Sequence, residues 1–108
     1  MKKILAVLLM MPVLAWAEFR NGNELLSNMK SESVVENSVA LGYVMGVADA
    51  SRGETHCTPA NATAGQLRDL VRSSIEMSAA YRHYTADVLI MAILGKTWPC
   101  PNKKGTGV

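Results

Sequence analysis

The side chains here with enough reactivity for chemistry are two cysteines, Cys57 and Cys100, two histidines, His56 and His83, and the carboxylates of Asp49 and Glu54. A thiol beside an imidazole has the makings of an activated nucleophile, so Cys57 with His56 or His83 is one candidate pair. The same histidines and both cysteines are also a candidate metal set. However, His56 and Cys57 are adjacent and awkward as joint ligands, and neither C-x-x-C nor H-x-x-x-H spacing occurs. A third possibility removes both thiols from chemistry: they form a disulfide. Asp49 and Glu54 lie near one helix end, but nothing in their spacing forces them into a shared cleft. No Gly-rich phosphate loop, G-x-S-x-G or H-E-x-x-H is present. The chain therefore reads as non-enzymatic, with no cofactor and no metal.

The compartment favours the disulfide. Residues 1–17, MKKILAVLLMMPVLAWA, begin with Lys2 and Lys3 and continue through an apolar run from Ile4 to Leu14. They end on Ala15-Trp16-Ala17, with small residues flanking Trp16. That order is the pattern of a cleavable secretory signal peptide. Eleven apolar-run residues fall short of the ~20 that span a bilayer as a helix. An exported chain meets oxidising conditions, where an even cysteine count reads first as a bridge. Cys57 and Cys100 would close a loop of 44 residues, counting both. Chain entropy assigns such a loop on the order of 4 kcal/mol.

Removing 17 of 108 residues leaves 91, the size of one small domain. Lys2 and Lys3 leave with the leader, so 11 basic residues against 9 acidic become 9 against 9. The precursor's basicity belongs to its targeting segment, and nothing points to nucleic acid or an anionic membrane surface. The expected organisation is a signal peptide at 1–17, a helical domain at 18–100 and a flexible tail at 101–108.

The elements that position these residues read as helices throughout. Asn23 is the expected cap of a short helix from Glu24, with Leu25, Leu26 and Met29 on its apolar face. Ser33 and Glu36 have capping-box spacing before a second helix that runs to about Ser51 and is ended by Gly53. Gly42, Gly46 and Ala50 recur every four residues along it, a smooth stripe suited to tight packing inside the bundle or across a dimer. Val35, Val39, Tyr43 and Val47 form a neighbouring stripe. Thr63 and Gln66 are a second capping box. The helix they open carries Leu67, Leu70, Val71, Ser74, Ile75 and Ser78 on a core face. Residues 79–83 turn the chain or kink it. Ala86, Leu89, Ile90, Ile93 and Leu94 then give a last core stripe, with Gly95 as its expected end. The fold class is all-α: a small four-helix domain with one disulfide, preceded by a signal peptide.

Tyr81-Arg82-His83-Tyr84 concentrates residue types that anchor protein interfaces, and a turn displaying them is a candidate recognition site. Alternatively, the two tyrosines complete the core. Replacing Tyr81 and Arg82 together by Ala is expected to weaken partner binding without unfolding the domain.

Five segments in order carry a resemblance: GNELL at 22–26, GYVMGVAD at 42–49, HCTP at 56–59, TAGQL at 63–67 and WPC at 98–100. Together they resemble the Rap/Tai family of periplasmic type VI secretion immunity proteins, small all-helical inhibitors of peptidoglycan amidase effectors. The resemblance assigns family-motif helix packing to Gly42, Tyr43, Gly46 and Asp49, and makes Cys57–Cys100 a retained bridge. It also implies a homodimer. Relatives usually carry another cysteine pair near Met29 and Ser38. Neither position is Cys here, which leaves the first helix held only by the packing of Leu25, Leu26 and Met29. The implied protein is periplasmic and blocks an amidase effector by filling its substrate cleft, through residues 54–62 or 79–84. The alternative is a periplasmic accessory or structural module of a mobile element with no toxin partner, assembling through the Gly/Ala stripe.

Overall fold

The computed structural model describes residues 20–101. The leader expected at 1–17 and residues 102–108 of the expected tail lie outside them. The order is α1 (Gly22–Lys30), α2 (Val34–Ser51), α3 (Ala64–Glu76), a 3₁₀ turn (Ala79–Tyr81) and α4 (Ala86–Thr97). Isolated bridges aside, the described residues contain no strand. The class is all-α, as the periodicity implied.

Each helix delivers three side chains to one core: Leu25, Leu26 and Met29; Ala40, Val44 and Ala48; Leu67, Val71 and Ile75; Ala86, Ile90 and Leu94. Burying one of the larger of these is worth about 1.5–3 kcal/mol. Every helix touches the other three, but the three most extensive contacts all involve α2, which forms the spine of the bundle.

α1 begins two residues before its expected start. Asn21, not Asn23, is the cap: its side chain accepts from the Glu24 N–H at 2.9 Å, and the Glu24 carboxylate accepts from the Asn21 N–H at 3.1 Å. The shift fits the surroundings of Gly22. A Cβ there would stand 2.6 Å from Leu89 Cδ1 and 2.8 Å from the Arg82 carbonyl oxygen, so only glycine admits this approach. Packing is not the helix's sole attachment, contrary to expectation. The N–H groups of Gly22 and Asn23 donate to the carbonyls of Tyr84 and Arg82, and that of Ala86 donates to Arg20. At the other end the Asn37 amide donates to the carbonyls of Asn28 and Ser31, both at 2.8 Å. This clamp from α2 sits beside Ser38, where the resemblance expected half of a cysteine pair.

α2 starts after Ser33, whose hydroxyl accepts from the Glu36 N–H at 3.2 Å. The reciprocal arm of the expected capping box is not formed. Gly53, two residues past the helix, has φ +87°, a left-handed conformation that glycine reaches without Cβ strain. The Gly/Ala stripe does not pack inside the bundle. Gly42, Gly46 and Ala50 are exposed, and a Cβ on either glycine would meet nothing within 4 Å. Val35 and Val39 of the neighbouring stripe are exposed as well. Ala40, Val44 and Ala48 take the core position instead. They are also four residues apart, so spacing alone did not distinguish the two faces.

α3 opens with both arms of the Thr63–Gln66 box in place. α4 runs through Gly95 rather than ending there. A Cβ on Gly95 would lie 2.6 Å from the Thr55 carbonyl oxygen, so the glycine lets α4 press against the α2–α3 loop. The Cys57 N–H donates to the Trp98 carbonyl at 2.8 Å, and the Cys57–Cys100 disulfide fastens the same loop to the end of α4.

Candidate protein-binding face

The chain between α3 and α4 is tied back to α3 by one side chain. α3 stops at Glu76, leaving carbonyls without helical partners. Arg82 folds back onto them: Nε donates to the Ile75 carbonyl at 3.0 Å and Nη2 to that of Glu76. The cation also suits the negative end of the helix dipole. Arg82 is thereby turned inward. Its neighbours Tyr81, His83 and Tyr84 are exposed and stacked edge to face, with Tyr81–Tyr84 centroids 5.8 Å apart and His83–Tyr84 centroids 4.7 Å apart. With 56% and 46% of their surface exposed, the two tyrosines do not complete the core.

This turn closes one end of a trough of about 550 Å³ between the end of α3 and the outer face of α4. Val88, Leu89, Ala92 and Ile93 form its floor, Met77 and the tyrosines stand on its wall, and Lys96 lies at the far end. Met77 is 82% exposed. The sequence reading found the aromatic turn but missed the trough, having assigned Leu89 and Ile93 to the core. Both are half-buried: Ile93 packs against the core as expected, with one side left open, and Leu89 does not join it. One signal was available: residues 88–94, VLIMAIL, are apolar on every side of the helix. A helix wet on one face does not need that.

At the opposite end of α4, the groups weighed as a metal or nucleophile set are separately engaged. Cys57 and Cys100 are bonded to each other. His56 is buried, with Nε2 3.0 Å from the Ala48 carbonyl oxygen and 3.1 Å from Ser51 Oγ. Because a carbonyl only accepts, Nε2 carries the proton. Nδ1 then accepts from the Thr58 N–H at 3.3 Å. His56 pins the α2–α3 loop to the end of α2, and His83 belongs to the aromatic turn.

The α2 motif residues do not converge. Gly42, Gly46 and Asp49 are exposed. Tyr43 is half-buried against the core, with the Arg20 guanidinium 5.7 Å above its ring. Burial pushes its phenol above the ordinary tyrosine range and the Asp87 carboxylate adds to this, while Arg20 opposes it.

The model of a family described as Rap1a immunity proteins matches residues 21–100, which is the whole helical bundle and both cysteines. No curated protein matches the chain.

Proposed function

This chain belongs to the Rap1a immunity protein family, and on that premise we propose that it is an exported immunity protein which binds a secreted effector and protects the cell that makes it. The observation carrying the proposal is the family match across the entire bundle. The disulfide fits maturation in the periplasm after removal of residues 1–17. No helix among the described residues is long and apolar enough to cross a membrane. The partner proposed is a peptidoglycan amidase effector of type VI secretion, and the action is steric. A scaffold with a fixed turn at 79–84, or the disulfide-held loop at 54–62, fills the enzyme's cleft and keeps peptidoglycan out. Preorganisation supports this mechanism, because a rigid turn loses little conformational freedom on binding. No catalytic role is assigned to any residue.

The mature chain, residues 18–108, is to be mixed with a panel of purified type VI amidase effectors while hydrolysis of peptidoglycan fragments is followed. Stoichiometric inhibition of at least one enzyme is the expected result. Full activity of every enzyme in the presence of excess protein removes the amidase reading.

The open face of α2, with exposed Val34, Val35 and Val39 beside Gly42 and Gly46, favours a second reading in which two copies pair. The same face would serve an accessory module that has no toxin partner.

A further inference from the structure

We infer that the trough between α3 and α4 is a receptor for an amphipathic helix of the partner protein, one that presents an apolar ridge and places an Asp or Glu at the Lys96 end. This rests on the immunity reading for its partner, but not on the partner being an amidase.

Four of the seven large apolar side chains exposed among the described residues, Met77, Tyr81, Tyr84 and Val88, line this one feature. Their clustering along one open trough, rather than across the surface, singles this feature out. Shape narrows the occupant. The floor from Val88 to Lys96 follows eight residue steps of α4, about 12 Å, which matches two turns of an apposed helix. The volume of about 550 Å³ is also that of a small-molecule site. Such sites bury most of their ligand, whereas the Met77 and Tyr81 wall is itself more than half exposed. A small molecule here would remain wet; a helix carries its own polar back and does not.

Charge fixes the polarity of the occupant. Lys96 is the one formally charged side chain lining the trough, and it makes no ion pair with any described residue. The remaining polar groups, including Ser74, Ser78 and Thr97, are neutral hydroxyls. An apolar ridge seated on the floor would bring its end residue to this ammonium, where a carboxylate gains and a cation is rejected. The turn that carries the aromatic wall is tied to α3 by Arg82, so its backbone is in place before binding.

The test exposes the oxidised mature chain to a display library of random, helix-length peptides. Selected peptides are then synthesised and titrated calorimetrically. Expected are sequences with apolar residues at i, i+3 or i+4 and an acidic residue at one end. Lys96→Glu should weaken their binding about tenfold or more. Ala92→Gln, which puts a polar side chain on the exposed floor, should do likewise with an unchanged melting temperature. Val88→Gln is the second floor variant should Ala92→Gln melt early. Equal affinity for parent and floor variants overturns the receptor; selected peptides without an acidic end, or indifferent to Lys96→Glu, overturn its polarity. Two further outcomes reassign the trough: self-association abolished by Ala92→Gln makes a second copy the occupant, and dodecanoate bound in preference to the peptides makes it an amphiphile site. An amidase inhibited equally by parent and Ala92→Gln would leave the immunity reading standing and remove this one.

Discussion

Within the 79–84 turn, adjacent residues have opposite duties. Arg82 satisfies the last carbonyls of α3, while Tyr81 spends its side chain on solvent and on Tyr84. Replacing both with Ala, as the sequence alone suggests, therefore mixes a folding effect with a binding effect. Arg82→Ala should cost about 1–2 kcal/mol, because hydrogen bonds from a charged donor are lost at a helix end and the guanidinium is only partly shielded. Tyr81→Ala should change stability by no more than about 0.5 kcal/mol, as exposed substitutions usually do. Urea unfolding of the two single variants separates them; equal losses would mean that the guanidinium is not holding the turn. Residue type explains what was legible here. Tyr and Arg both belong to interface chemistry, and a sequence does not disclose which way a side chain in a turn faces. His56 teaches the same lesson. Its type suggested a metal ligand or a base, yet its neighbours Ala48, Ser51 and Thr58 make it a buried hydrogen-bonding pin.

At the scale of elements, four helices and their order were readable because capping residues and apolar periods are local signals. The Thr63–Gln66 box opens α3 with both of its arms, and α2 begins at the residue its Ser33 cap implies. Which face of α2 turns inward was not readable, since Gly42-Gly46-Ala50 and Ala40-Val44-Ala48 share one four-residue period. Tertiary surroundings give the glycines opposite values. Gly46 is in a helix with open space where a Cβ would go, so Gly46→Ala should stabilise the monomer by up to about 1 kcal/mol. Gly95→Ala gains the same propensity but drives a methyl to 2.6 Å from the Thr55 carbonyl oxygen, and backbone must move. It should destabilise by about 1–3 kcal/mol, the usual range for overpacking. Thermal melts of the pair check the sign as well as the size. If Gly95→Ala were also stabilising, the contact between α4 and the α2–α3 loop would be looser than described.

For the molecule as a whole, the question is how a bundle with twelve core side chains, several of them only Ala, stays folded. Domains near this size bury a modest fraction of their surface and hold few kcal/mol in reserve. The Cys57–Cys100 bond spans 43 residues of sequence, a stretch that contains α3 and α4 entire. Without it the unfolded chain regains the freedom of that long loop, worth about 2–4 kcal/mol in practice. Cys57→Ser should therefore lower the melting temperature by roughly 10–30 °C in oxidising buffer, at the ~4–8 °C per kcal/mol expected of a 60–100-residue domain. The parent protein with its bridge reduced should melt close to the variant. That agreement assigns the loss to the crosslink rather than to the serine, and it discriminates further. His56 and the Cys57–Trp98 backbone bond hold the same loop without sulfur. If those contacts were sufficient, parent and variant would melt together and the crosslink would contribute nothing to the fold.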